Sequence, residues 1–294
     1  MGSPPTKILR ILTRLNIGGP AIHAALLSTQ LDPQRFSTCL VIGEPDPTEG
    51  DLSSLVEGNQ VRMVRVRSLR RPIQLWADLM AFGHLLRIVW QERPRVIHTH
   101  MAKAGTLGRL AGILYNRIGP GRTPGVRAVL IHTFHGHVLE GYFPSWLSRG
   151  FLAIERWLAR RTDCLIAVSE TVWRELCALG IGRPDQWRVI PVGLDLSSLA
   201  QLEFPNGSTQ VRFGMVGRLV PIKNPRLFLE ALQRLTQEEA KTSVSGVIVG
   251  DGPLRRRLEA ASKTLGLQVR VRFTGWQRDL LSVYSTFEVA CLTS

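Results

Sequence analysis

Cysteine is scarce in this chain and never paired. Cys39, Cys164, Cys177 and Cys291 are the four in 294 residues, and no Cys-x-x-Cys occurs. That spacing offers neither a disulfide framework nor a zinc signature, so the four read as small buried hydrophobes in a reducing cytosol. Long apolar runs are missing too. Nothing approaches the 18 or so uncharged residues of a membrane-spanning helix, and the polar lead Met1 to Pro5 precedes no apolar segment of secretory type. Acidic residues are in short supply, 23 against 37 Lys and Arg, for a net charge of +14. The excess is spread over both halves rather than held in a tail. Such a surface favours nucleotides, nucleic acid or anionic lipid headgroups. No helix-turn-helix, zinc-finger or single-strand-binding signature accompanies the charge, so nucleic acid is not an expected partner.

What is present is an apolar fraction of 44%, enough for sizeable cores, in a length that suits two domains. Short β-prone runs alternate with amphipathic segments. Strands are predicted at 8–12, 36–42, 61–66, 96–100, 128–134, 164–168, 188–191, 211–216, 246–249, 269–274 and 289–292. Helices are predicted from about 21, then at 73–90, 106–115, 146–161, 171–179, 225–235, 254–265 and 279–286, with Ser169 as an N-cap. Such βαβ alternation implies two α/β domains, each a Rossmann-like, doubly wound parallel sheet. Residues 197–210 lack periodicity and read as the linker, which gives domains 1–195 and 196–294.

Doubly wound sheets bind ligands beyond the carboxyl ends of their strands, and the chemically loaded residues fall there. In Val216-Gly217-Arg218-Leu219-Val220-Pro221-Ile222-Lys223-Asn224-Pro225 a strand ends, two cations follow, and a helix opens with Asn224 as N-cap and Pro225 in its first turn. Arg218, Lys223 and a helix N-terminus together suit a phosphate group, and could stabilise a leaving diphosphate as a metal would. A solvated turn with ordinary surface charges is the competing reading. Gly18 and Gly19, after the first strand, would let backbone N–H groups approach a phosphate, or simply make a tight turn. His23 lies early in the next helix, on either its core or its open side. His98 and His100 end one strand; His132, His135 and His137 follow along another, where His135 and His137 could share a face. Alternating histidines can ligate metal, but no Cys or carboxylate completes a set, so no metal site is expected. A neutral imidazole could as well bond a sugar hydroxyl, or be structural.

In order along the chain, these pieces are similar to those of GT-B glycosyltransferases of the large retaining group called family 4. They are Gly18-Gly19, Val96-Ile97-His98-Thr99-His100, His132-Thr133-Phe134-His135-Gly136, Ala167-Val168-Ser169-Glu170, Ile190-Pro191-Val192-Gly193-Leu194-Asp195, Gly217-Arg218 with Lys223, and Gly250-Asp251-Gly252-Pro253. The ordered set, covering nearly the whole chain, is what makes the resemblance specific. It implies that Arg218 and Lys223 hold the donor diphosphate and stabilise it as it leaves. Gly18 and Gly19 would close over the same phosphates from the opposite domain. His135 would contact the donor sugar near the reacting carbon, and Gly250, Asp251 and Gly252 would shape the nucleotide side of the cleft. The implied substrates are a nucleotide-diphosphate sugar, most commonly UDP-linked, and a sugar or lipid-linked acceptor hydroxyl, with retained configuration and no metal.

Two departures from the family pattern carry expectations. Val192 replaces the usual Asn. The segment after 289–292, which in the family carries two glutamates eight residues apart, does not follow Ser294. A truncated donor domain, reduced activity and an unfinished sheet edge are therefore expected. The stretches 70–95 and 146–161 mix Arg with Leu and Trp at helical spacing. They could touch the inner membrane face peripherally, or simply cover the sheet. A nucleotide-sugar epimerase of the same fold and a non-catalytic nucleotide-sugar or polyanion binder are the alternatives to a transferase.

Overall fold

Strands covered on both faces need apolar residues throughout, and the first sheet is built that way. A computed structural model describes residues 4–45, 50–136, 145–194, 196–202, 210–238, 243–277 and 279–294. It divides into two units, 1–193 and 194–294. In the first, β1 (Thr6–Leu12), β2 (Phe36–Gly43), β3 (Arg62–Val66), β4 (Val96–His100), β5 (Val129–Phe134), β6 (Cys164–Ala167) and β7 (Trp187–Val189) form one sheet in the order β3-β2-β1-β4-β5-β6-β7. All of its pairings are parallel. Its helices are α1 (Gly19–Thr29), α2 (Leu75–Glu92), α3 (Ala102–Ile118), α4 (Ser145–Ala159) and α5 (Glu170–Ala178).

Side chains alternate across this sheet with period two. Leu9, Ile11, Val41, Ile97 and Leu130 share a core with Ala81, Leu85 and Val89 of α2 and Ala104 and Ala111 of α3. Leu12, Leu40 and Ile42 share another with Ala21, Ala24 and Ala25 of α1. The helix α2 packs on α3, and α3 on α4. There Arg109 of α3, fully buried, holds Glu155 of α4 through paired contacts of 2.6 and 2.8 Å. Ser169 caps α5 as expected, its Oγ accepting from Val172 N at 3.2 Å.

The second unit contains α6 (Ser197–Ala200), β8 (Gln210–Val216), α7 (Pro225–Glu238), β9 (Ser243–Val249), α8 (Arg255–Thr264), β10 (Val271–Gly275), α9 (Leu280–Tyr284) and β11 (Val289–Ala290). Its parallel sheet runs β10-β9-β8-β11 over a core that includes Met215, Phe228, Leu232, Ile248 and Leu258.

Two expectations need correction and one a refinement. The stretch 197–202 is not free linker: α6 packs on α9, and Leu199 and Leu202 line an apolar groove with Tyr284 and Phe287. Only Cys39 is buried; Cys164 and Cys291 are half-buried and Cys177, on the outer side of α5, is exposed. Asn224 directly precedes α7, with Leu227 N donating to its carbonyl at 3.1 Å, but without the usual extended N-cap backbone. It sits in the left-handed region at φ 40°, ψ 51°, closing the 3-10 turn Pro221–Lys223, a conformation Asn tolerates better than most residues.

Candidate active-site residues

Register decides which histidines meet. In the sheet Arg10 pairs with His98, Thr99 with His132, and His100 with Thr133. Arg10, His98 and His100 therefore lie on the α1 face, and Thr99 and His132 on the α3 face. His132 is buried there, its Nδ1 2.8 Å from Thr99 Oγ1 and its ring against Gly105, where a Cβ would come within 2.5 Å. It is thus a packed structural histidine, separate from His135. His137 and Asp195 lie outside the described residues.

On the α1 face, His98 Nε2 bonds Thr133 Oγ1 at 2.8 Å, and its ring stands 4.3 Å from that of His100. His100 Nδ1 in turn is 3.0 Å from Nε2 of His135, just beyond β5, so one donates and the other accepts. His23 of α1 turns toward the pair, its ring nearly perpendicular to both and 5.3 Å from His135. Beneath them lies Arg10, 2% exposed, donating to Ser28 Oγ at 2.8 Å.

Burial is the main force on all these groups. It lowers Arg10 to about 10, leaving it charged at neutral pH. It pushes the His98 and His100 imidazoles well below their usual value, aided by Arg10 and by the neighbouring histidines. His135 falls to about 4 through burial and then His23, and His23 falls through burial and Arg10. The cluster is therefore neutral at physiological pH, with buried His23 Nδ1 and His100 Nε2 lacking hydrogen-bond partners among the described residues.

Three of these histidines lie close enough together to be weighed as a metal set. His23, His100 and His135 bring one ligand nitrogen each within 4.8 Å of one another. Three neutral imidazoles could hold zinc. Against a dication stands Arg10, whose fixed positive charge acts on both His23 and His100, with no carboxylate among the three ligands. The set is better matched to an uncharged polar group such as a sugar hydroxyl.

Gly18 and Gly19 open α1. Gly18 is extended at φ 167°, and its carbonyl accepts from Ala21 N and Ile22 N, each at 3.1 Å. A Cβ on Gly19 would meet nothing within 4 Å, and one on Gly18 only Pro20 Cδ at 4.0 Å. Neither local packing nor backbone conformation requires glycine here, so the space above the helix start remains for a ligand. At the start of α3, Met101 follows His100 at φ 65°, ψ 157°, a region that costs a non-glycine residue about 1–3 kcal/mol.

In the second unit two loops at the carboxyl edge of the sheet are laced together. Gly217 N donates to Val249 O, Leu219 N to Asp251 O and Leu254 N to Leu219 O, at 2.9, 2.9 and 3.1 Å. Gly250 has a structural reason to be glycine: φ is 127°, and a Cβ would stand 2.0 Å from Gly217 O. Gly252 similarly abuts Leu219 O. Asp251 is engaged locally, accepting from Gly252 N and from Arg255, each at 2.7 Å. Gly250, Asp251 and Gly252 thus build the floor on which the Arg218 loop rests. Lys223 is fixed by Thr293 Oγ1, which donates to its carbonyl at 2.6 Å, and its Nζ reaches Ser294 Oγ at 3.2 Å. The half-buried Arg218 guanidinium has no hydrogen bond or ion pair among the described residues.

Histidine pairing, the role of His23 and the strain at Met101 were not readable beforehand. Arg10 gave a signal, a cation inside the apolar run Ile8-Leu9-Arg10-Ile11-Leu12.

Two successive parallel α/β units, with cations and glycines gathered at the carboxyl ends of their strands, have the GT-B architecture. Crystal structures agree: Anabaena HepE, described in complex with UDP and glucose, superposes with a TM-score of 0.74 over 98% of this chain and 74% of its own, at 19% identity. The chain belongs to the glycosyltransferase family whose glycosyl transferase 4-like domain matches residues 18–193 and whose group 1 domain matches 210–294. Among characterised relatives is the Escherichia coli UDP-Gal:alpha-D-GlcNAc-diphosphoundecaprenol alpha-1,3-galactosyltransferase, 29% identical over 90% of this chain and 67% of its own length. Another is the GDP-mannose-dependent alpha-mannosyltransferase of Mycobacterium tuberculosis, 28% identical over 85% of this chain. This chain spans 62% of the latter's length.

Proposed function

We propose that the protein is a retaining glycosyltransferase that moves a hexosyl group from a UDP-linked sugar to a hydroxyl of a lipid-linked acceptor, working peripherally at the inner membrane face. The observation that carries this reading is the β8–α7 loop of a family member. It presents an unengaged guanidinium at Arg218 and a positioned ammonium at Lys223 beside a helix start. These suit a diphosphate, whose developing charge they would neutralise without a resident metal. The bond from the anomeric carbon to the phosphate oxygen breaks, and the acceptor oxygen attacks from the same face. The acceptor proton leaves with the diphosphate. His135, neutral and backed by His100, is suited to hold a hydroxyl of the donor sugar. The open helix start at Gly18 and Gly19 offers N–H groups to an anion.

The UDP donor and the lipid-linked acceptor rest on the names of the Escherichia coli enzyme and of the HepE complex; the mycobacterial relative's GDP-mannose makes the donor base a matter for experiment. The test uses the full product of the reading frame. It is incubated with UDP-galactose, UDP-glucose, UDP-N-acetylglucosamine or GDP-mannose and polyprenyl-diphosphate-linked sugars, with and without EDTA. The expected result is EDTA-insensitive transfer from one UDP-sugar only when acceptor is present, with the donor's anomeric configuration kept in the product by NMR. Inverted product, or isomerised donor without acceptor, would overturn it; isomerisation would point to an epimerase.

A further inference from the structure

A helix that covers a sheet needs one apolar stripe, and α2 already has it in Ala81, Leu85 and Val89, all fully buried. Its first two turns carry a second apolar set pointing the other way. Leu75 and Trp76 are 69% and 77% exposed, and Leu79, Met80 and the preceding Ile73 are exposed as well. Single exposed hydrophobics are ordinary, but five within eight residues form a patch.

The surroundings of the patch are cationic. Arg67 and Arg70 are exposed on the approach to α2, tied by a bond from Arg70 Nε to the Arg67 carbonyl at 3.1 Å. Arg87 is exposed farther along the helix, three turns after Trp76 and on the same stripe. The acid in these turns, Asp78, is consumed locally: it accepts from Gln74 N at 3.1 Å and from Lys103 Nζ at 2.5 Å. Lys103 also holds the Pro72 carbonyl, which pins the segment before the helix. The edge is thus built and rigid, apolar at its tip and positive on both sides.

We propose that this end of α2, with Ile73, Leu75, Trp76, Leu79 and Met80 as apolar anchors and Arg67, Arg70 and Arg87 as phosphate contacts, docks the protein on an anionic lipid surface. Trp and Leu enter the headgroup boundary, and the arginines reach lipid phosphates. Charge selects this occupant over a second copy of the chain. An isologous contact would set the same cations against each other in a protein of net charge +14. The inference rests on the membrane-side acceptor proposed above, but its test needs no catalysis.

Flotation with phosphatidylcholine vesicles, with and without phosphatidylglycerol, is the experiment. The unmodified chain is expected to float only with the anionic vesicles, and brominated lipid is expected to quench fluorescence that Trp76→Phe removes. The triple variant Leu75→Gln, Trp76→Gln, Leu79→Gln touches exposed positions, so its thermal unfolding should match the parent. Its vesicle partitioning should fall at least about tenfold. Arg67→Ala with Arg70→Ala should weaken binding and its salt sensitivity together. No binding to anionic vesicles, equal binding by the triple variant, or a solution dimer that the triple variant breaks would each overturn the proposal. Vesicle binding without any glycosyl transfer would contradict the proposed function and leave the docking surface standing; transfer to a detergent-solubilised lipid-linked acceptor without vesicle binding would overturn the docking surface and leave the transferase reading standing.

Discussion

His100 Nδ1 and His135 Nε2 stand 3.0 Å apart, and this contact fixes the ring of a half-buried histidine through one that is wholly buried. Because burial keeps both neutral, the His135 ring is oriented as a hydrogen-bonding group rather than as a cation. Replacing His135 by Ala is therefore expected to lower kcat/KM for transfer about 10- to 100-fold, the worth of one or two good hydrogen bonds. The activity should retain its pH dependence above neutrality, where His135 does not titrate. Steady-state rates across pH check this.

Five histidines held below their ordinary pKa make the first unit acid-sensitive. His23, His98, His100, His132 and His135 resist protonation when folded, whereas the unfolded chain binds protons near 6.5. The unfolded state thus takes up more protons once pH drops below 6.5. Stability should be fully present above that value and decline toward about 4, the folded value for His135. The slope approaches about 1.4 kcal/mol per pH unit for each histidine that stays neutral in the fold. Urea unfolding of the chain between about pH 7 and pH 5 reads it, and imidazole NMR titrations assign it to individual rings.

The alternation of apolar runs and amphipathic segments was enough to read both sheets, because buried parallel strands leave a plain pattern. The ends of elements were less legible. The helix expected from Thr106 begins at Ala102, because the chain turns at strained Met101, whose positive φ no propensity foretells. Asn224 does stand before α7 as expected, but its left-handed backbone was not legible, since Asn serves both as an N-cap and in that region. Histidines could be placed on strand ends, but their partners depend on register across β1, β4 and β5, which separates His132 from His100 and His135. Spacing within one strand cannot supply that.

The glycines divide into two kinds with opposite expected effects. Gly250→Ala forces a Cβ to 2.0 Å from Gly217 O at φ 127°, so the second unit should lose more than about 1–3 kcal/mol. Gly19→Ala meets nothing and adds helix propensity, so stability should hold or rise by a few tenths of a kcal/mol while the donor KM increases. Thermal melts and donor titrations on the two variants separate packing from ligand space.

Arg109 and Glu155 supply a purely structural control. With Arg109 fully buried, Glu155→Ala leaves an uncompensated cation between α3 and α4 and should cost about 3–5 kcal/mol. Removing both partners together, Arg109→Leu with Glu155→Leu, should cost less than the single change. A denaturation double-mutant cycle measures this.

The most direct measurement is glycosyl transfer by Arg218→Ala and Lys223→Ala variants, with donor binding and circular dichroism followed in parallel. If these two cations hold and stabilise a leaving diphosphate, each variant stays folded and loses at least about 100-fold in kcat/KM, with Arg218→Lys in between. Folded variants that transfer sugar within about threefold of the parent rate would contradict the account at its centre.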